Sequence, residues 1–431
     1  MLPTWPASVF QYTLMTTDQF LPSGSIGPHM TMAISVVVDG PLDVDVLDGA
    51  YDDLVARNDV LRTVLEREGA SWVQRVHPHR TARLERSEGP AERVQDFADA
   101  WTRTPVPVDE PPLVRGQVVR LDDGTHLVSL VFHHLHTDPP SLELAMSELG
   151  ALYTARLAGE RVPAPPLQFG PYVRQVVDSV AGRLDADREF WRTTIEGARP
   201  VSPAPGLERD WGRPPSSSAL RLHVLDSAQA AALEKWALRH RTTLFATLFT
   251  GFCLSMADRA ATRDILVATV FEQRNHPDTK NLIGPFLHPS LLRVRVPEGA
   301  DWESLTPQVR DVVRDAYDRA HIPTIDILGM HPDVIHAVST EPVGLLLFQY
   351  LPSSGVGDRI AFGPATAHLL ANTDVGPTGD VGLMFRLHRK GSGDLVATVT
   401  FDRRDLEEEL VRELFADFVR RVTEPLAATV R

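Results

Sequence analysis

Two adjacent histidines, His133 and His134, follow the apolar run Leu127-Val-Ser-Leu-Val-Phe132, and Asp138 comes four residues after the second. An imidazole titrates near neutrality and can take a proton from an attacking amine or hydroxyl, so one of the pair is a candidate general base. Such a base needs a rigid mount, and the flanking residues supply one. Leu127 to Phe132 reads as a buried strand bounded by the turn signal Asp122-Asp123-Gly124, while Leu142, Ala145, Leu149, Leu152 and Tyr153 recur at helical spacing beyond it. Pro139 and Pro140 suit a first helical turn, whose N–H groups lack helical partners in any case. Two plainer readings compete: surface histidines at a strand end, and a metal pair. The metal reading is the weaker, since neighbouring strand residues face opposite ways and no Cys cluster or His-Glu-x-x-His helix accompanies them.

The elements that must hold this cluster form a chain of 431 residues, which favours two domains of roughly 200 residues each. A net charge of -14 argues against nucleic acid or an anionic membrane surface as partner. The single cysteine, Cys253, sits in an apolar helical run and reads as a small core residue, so there is no disulfide framework. No signal-peptide pattern opens the sequence, and the longest apolar run, Leu244 to Met256, is too short for a membrane span; the cytoplasm is the expected compartment.

Taken in order, Met30 to Gly40 reads as a strand and turn, Leu47 to Val55 as a helical face, and Val114 to Leu121 as a strand paired in a hairpin with the histidine strand. Proline and glycine crowd the stretch from Ala158 to Pro171, and a second breaker-rich loop runs from Pro200 to Ser218. A boundary near residue 180 is therefore expected, dividing the chain into 1–180 and 181–431. The second half repeats the α+β pattern: strand Ala219 to Leu225, helices Ala228 to Arg241 and Leu244 to Met256, strand Asp264 to Val270, helix Glu303 to Ala320, strands Gly344 to Tyr350, Val381 to His388 and Leu395 to Phe401, and a last helix from Asp405 to Val422.

Several of these segments together resemble the condensation domain of nonribosomal peptide synthetases, a family related in fold to chloramphenicol acetyltransferase. His133-His134-Leu-His-Thr-Asp138 is similar to its His-His-x-x-x-Asp-Gly signature, and Arg57-Asn58-Asp-Val-Leu-Arg62-Thr63 to its Arg-His-x-x-Leu-Arg-Thr segment. Arg274-Asn275 and Ile283-Gly284-Pro-Phe286-Leu-His288 resemble two later elements, Tyr172 with Phe190-Trp191 the linker aromatics, and Phe401-Asp402 the penultimate strand end. The resemblance implies an α+β fold of two acetyltransferase-like subdomains in a V-shaped pseudo-dimer around a substrate tunnel. It implies His134 as the catalytic position, with His133 and Asp138 structural, and an arginine partner for Asp138: Arg274 first, Arg293 second. No cofactor is expected on the chain itself. Substrates would arrive on the phosphopantetheine arm of carrier proteins, and the nucleophile is a carrier-bound or free small molecule.

The sequence departs from the pattern where Pro139 replaces the motif glycine, Asn58 a histidine, and His288 an asparagine. Proline has no N–H, so an oxyanion would need another donor; His136 and Ser141 are the candidates within the motif, and His288 is a candidate tunnel residue. With no adenylation or carrier segment in view, the expected protein is a free-standing condensation enzyme forming an amide or ester in nonribosomal peptide or hybrid polyketide biosynthesis. The alternative is a degenerate, condensation-like docking platform for carrier proteins or tailoring enzymes. An acyltransferase using coenzyme A shares the chemistry but has no readable basic pocket for the nucleotide.

Overall fold

The apolar run ending in the histidines is a strand, buried on both faces at the centre of a six-stranded sheet. The computed structural model describes residues 2–19, 26–27, 30–204, 206–210, 216–260, 262–274, 276–351, 359–370 and 382–428. In chain order the elements begin with β1 (Thr4–Pro6), α1 (Val9–Asp18), β2 (Thr31–Asp39), α2 (Val44–Arg57), β3 (Thr63–Glu68), β4 (Ser71–Val76), β5 (Glu85–Gly89), α3 (Val94–Thr102), β6 (Val114–Leu121), β7 (His126–His133), α4 (Pro139–Leu157) and α5 (Phe169–Val180). They continue with α6 (Leu184–Ile195), β8 (Ser217–Leu225), α7 (Ser227–Arg239), α8 (Leu244–Arg259), β9 (Asp264–Glu272), β10 (Leu287–Arg295), α9 (Trp302–Asp318), α10 (Thr324–Gly329), α11 (Pro332–Thr340), β11 (Leu347–Leu351), β12 (Arg359–Phe362), β13 (Ala365–Leu369), β14 (Leu383–Arg389), β15 (Leu395–Asp402) and α12 (Glu408–Ala428).

Packing divides the chain into two units that are not consecutive blocks. The first comprises residues 1–182, 272–287 and 354–379, and the second 183–271, 288–353 and 380–431. Against the expected blocks 1–180 and 181–431, two segments of the later half belong with the first unit. The physical reason is pairing: β13 is hydrogen-bonded antiparallel to β2, with Ala367 opposite Val38, and β12 follows β13 to the sheet edge.

In the first unit the sheet order is β12-β13-β2-β7-β6-β5, and the expected β6–β7 hairpin is present with Val118 opposite Val128. Alternation along β7 sends Val128, Leu130 and Phe132 into the core shared with α2 and α4, while Leu127 and Val131 pack beneath α3. A strand covered on both faces reads as a continuous apolar run. Its one polar interior residue, Ser129, is satisfied across three strands by Ser35 Oγ at 2.8 Å and Gln117 Nε2 at 3.3 Å. A small sheet, β1-β4-β3, carries the N-terminal segment into this unit.

The second unit has a six-stranded sheet of order β10-β9-β11-β14-β15-β8. Its core is phenylalanine-rich: Phe252 packs against Phe348, Phe385 and Phe418, with centroids 4.8 to 6.5 Å apart. Cys253 is fully buried in α8, where desolvation raises its thiol pKa well above the ordinary value, as befits a packing residue. The strand expected from Gly344 starts later, at Leu347, because Val343 and Gly344 take φ values of +66° and +59° and turn the chain. Asp405 Oδ2 accepts the Val343 N–H at 2.7 Å and holds that turn.

Candidate active site

His133 is the last residue of β7, and the backbone tightens at once into a turn in which His136 N–H donates to the His133 carbonyl. Each histidine has its tautomer set by a different neighbour. His133 Nδ1 accepts the Leu135 N–H at 3.1 Å, which leaves the proton on Nε2 to donate to the Ile26 carbonyl at 3.1 Å. That ring is a buried brace. His134 is arranged the other way round: Nδ1–H donates to the Thr137 carbonyl at 2.8 Å, so the lone pair sits on Nε2. Its backbone N–H donates to Met30 O at 2.7 Å, and its ring lies against Phe10, centroids 4.9 Å apart. With Nδ1–H engaged by the Thr137 carbonyl, Nε2 is the ring nitrogen that can exchange a proton, which is what a general base needs.

Asp138 is fully buried and joins two functions in one carboxylate. Oδ1 accepts from Ser141 N–H at 2.9 Å, capping α4, and from Arg274 Nη2 at 2.7 Å; Oδ2 accepts from Phe286 N–H at 3.0 Å. The first-choice arginine is thus the ion-pair partner, and the capping role coexists with it. Arg293 is committed elsewhere, to Asp264 at 2.6 Å and to the carbonyls of Thr194 and Glu196. Arg274 in turn donates to the carbonyls of Thr279 and Leu282, pairs with Glu272 at 3.0 Å and lies 4.0 Å over the Phe286 ring. Burial, then the Asp138 charge, raises the Glu272 carboxyl pKa, and Arg274 works against that rise.

The N-terminus of α4 has an unusual consequence. Pro139 and Pro140 carry no N–H, Ser141 N–H is taken by Asp138 Oδ1, and Leu142 N–H is taken by the Asp138 carbonyl at 3.2 Å. The first turn therefore has no backbone donor left for an anion. Ser141 does not replace it, contrary to the expectation from sequence: its hydroxyl donates to Gly284 O at 2.9 Å while accepting from Gly284 N–H at 3.0 Å and Arg274 Nη2 at 2.7 Å. His136 does not replace it either, because its ring is enclosed with 0% exposure. Neither ring nitrogen has a hydrogen-bond partner among the described residues; burial, then the proximity of His133, lowers its pKa to about 3.

The sequence model of the condensation domain matches residues 4–333. The chain belongs to the condensation domain family. A plipastatin synthase polypeptide of Bacillus subtilis (strain 168) is 28% identical over 325 residues, which cover 74% of this chain and 9% of that protein. The chain thus spans about a tenth of the length of that relative. Among solved structures, the SgcC5 protein from Streptomyces globisporus aligns with a TM-score of 0.80 and 22% identity over 98% of both chains. The X-domain solved in complex with OxyB from teicoplanin biosynthesis aligns at 0.79 and 19% identity, over 98% of this chain and 93% of that one. The α+β fold with two helix-covered sheets is that of condensation domains.

In this condensation domain the remaining motif residues hold structure together. Arg62 donates to the carbonyls of Val55 and Ala56 at the C-terminal end of α2, and Arg57 pairs with Glu148 at 2.8 Å. Asn58, in the histidine's place, donates to Leu54 O and Glu148 Oε2, both at 3.0 Å. Tyr172 Oη donates to Gln273 O at 2.9 Å. Asn275 lies outside the described residues. His288 belongs to the second unit, where its Nδ1–H donates to Ala320 O at 3.1 Å; burial dominates and lowers its pKa to about 4. Phe10 and Gln11, which precede the first strand read from the sequence, border the histidine turn, and Gln11 Nε2 donates to Leu135 O at 3.3 Å. The signal for their helix was Ser8-x-x-Gln11, a capping box that the structure forms in full. Among the described residues no three His, Cys, Asp or Glu side chains converge as metal ligands, and no helix is long and apolar enough to cross a membrane.

Proposed function

We propose that this condensation domain catalyses acyl transfer from a carrier-protein phosphopantetheine thioester to an amine or alcohol, with His134 as general base. The observation that carries the reading is the Nδ1–H donated to Thr137 O, which keeps Nε2 basic. In the step, Nε2 takes the proton of the attacking N–H or O–H as the nucleophile bonds to the thioester carbonyl carbon. Collapse of the tetrahedral intermediate breaks the C–S bond, and the proton leaves with the thiolate as free phosphopantetheine thiol. Amide or ester is the product. Asp138 and Arg274 act by holding the turn and the 272–287 segment to α4.

A second reading, a docking domain without chemistry, has one observation in its favour: the first turn of α4 has no backbone N–H to give an oxyanion. The fold likeness to an X-domain solved with OxyB is compatible with that reading. Intact-mass analysis of an acyl-loaded carrier protein, before and after incubation with the protein and a panel of amines and alcohols, separates the two. Under the enzyme reading the acyl mass leaves the carrier and appears on an acceptor, and His134→Ala slows this by about 100-fold or more. Carrier that binds yet keeps its acyl group, with wild type and His134→Ala alike, establishes the docking reading instead.

A further inference from the structure

We infer that the C-terminal end of α7 is a docking surface for a protein partner whose own surface sets carboxylates around an apolar recess. Under the proposed function that partner is the carrier protein, and its identity rests on that reading. Lys235, Leu238 and Arg239 stand at i, i+3 and i+4 on one face of the helix, and all three are exposed. Leu238 is 75% exposed, the most of any large apolar side chain among the described residues, whereas Leu233, Trp236 and Ala237 of the same helix are buried. Arg241 follows directly after the C-cap, His240. None of the three cations has a carboxylate within ion-pair distance among the described residues, and the one acid of that turn, Glu234, is taken by Arg389 at 2.6 Å.

Cations near a helix C-terminus complement the dipole, and a lone exposed leucine is ordinary. Arg241 is covered by neither account. It takes a φ of +53° where the chain turns back, its N–H donating to Leu238 O at 3.1 Å and the Thr242 N–H to Ala237 O at 3.0 Å. Glycine ordinarily fills this helix stop, because a side chain there strains the backbone. Glycine would close the same turn without strain; arginine adds a third cation to the helix end, and strain at one position points to a use for its side chain. The end is also stiff. His240 stacks on Trp236 with centroids 3.8 Å and planes 19° apart, and its Nδ1–H donates to Trp236 O at 2.8 Å. Leucine and cations are thus presented with little ordering left to lose on binding. Charge then sets the partner: a chain at -14 repels an acidic protein as a whole and draws it to a face where cations stand unopposed.

The test measures binding first and turnover second, on the whole protein. The probes are phosphopantetheinylated acyl and peptidyl carrier proteins of net negative charge, titrated by calorimetry. At least one should bind, and more weakly as salt rises from about 50 to about 300 mM. Lys235→Glu combined with Arg239→Glu should weaken binding by about tenfold or more, and Leu238→Glu alone by a similar factor. Arg241→Gly is the discriminating variant: its melting temperature should equal or exceed that of wild type while binding weakens about threefold. In acyl transfer the charge-reversed variant should raise KM for a carrier-bound donor with kcat nearly unchanged, and should use an N-acetylcysteamine thioester, which involves no carrier, at the wild-type rate. Carrier binding unchanged in the charge-reversed and Leu238→Glu variants, or no probe bound by wild type, overturns the inference. So does self-association of the wild type that Leu238→Glu abolishes, which would make the face a contact between copies. Binding that the variants lose, in a wild type that transfers no acyl group, overturns the proposed function and leaves the docking surface standing.

Discussion

Asp138 satisfies three donors with two oxygens, and that economy makes it hard to replace. Asp138→Ala would leave the Arg274 guanidinium, 10% exposed, with the partly exposed Glu272 as its one carboxylate partner among the described residues, and would uncap α4. Breaking one side of a buried pair costs about 3 to 5 kcal/mol. Asp138→Asn keeps one oxygen for Ser141 N–H and Arg274 while losing the charge and the acceptor for Phe286 N–H, so its penalty should be smaller than that of Asp138→Ala. Urea denaturation of both variants checks the order; equal stabilities for wild type and Asp138→Ala would remove the ion pair from the account of the fold. The same network explains why Ser141 is structural. Its hydroxyl partner, Gly284, lies 143 residues away, and nothing local to the motif records that the oxygen is already engaged.

At the level of elements, the junction of α5 with the segment before β10 is set by one missing side chain. A Cβ at Gly284 would lie 2.3 Å from Phe169 Cδ2, and Phe169 is buried against Phe286 and Tyr172. Gly284→Ala should therefore destabilise the first unit by about 1 to 3 kcal/mol through overpacking, and Phe169→Leu in the same chain should recover part of the loss. Melting temperatures of the two single variants and the double test this, and additive losses would show that the two positions are not in contact. The elements themselves were largely readable. The β6–β7 hairpin, α4, α7 to α9, β14 and β15 follow from apolar period and turn residues, with ends displaced by a few residues. What could not be read was long-range pairing. β12 and β13 are only 4 and 5 residues long, and their return to β2 depends on backbone hydrogen bonds between segments far apart in the chain, Thr366 to Leu369 and Val36 to Asp39. The Asp138–Arg274 pair came from family resemblance; no periodicity in either segment would have joined them. Phe10 was missed because α1 has little amphipathic pattern, its start being marked by the capping box alone.

Across the whole molecule, acid stability should be governed by histidines that fold buried and neutral, one in each unit. His136 in the first has its pKa lowered to about 3, and His288 in the second to about 4, burial being the main cause in both. The unfolded chain binds protons on these rings near pH 6.5, well before the folded chain does, so stability is complete above that pH and falls as pH drops toward the folded pKa values. Each ring contributes a slope of about 1.4 kcal/mol per pH unit, or about 2 kcal/mol by pH 5. His136→Phe removes one titration and two buried nitrogens that have no hydrogen-bond partner among the described residues. It should leave stability at pH 8 unchanged or higher and flatten the loss between pH 6.5 and 4.5 by one proton's worth. His288→Gln keeps a donor for Ala320 O and should flatten it by another. Urea titrations at a series of pH values measure both slopes. An acid limb as steep in the double variant as in wild type would mean that neither ring is neutral by virtue of burial, and other groups, the half-buried His126, His321 and His388 among them, would then carry the acid sensitivity.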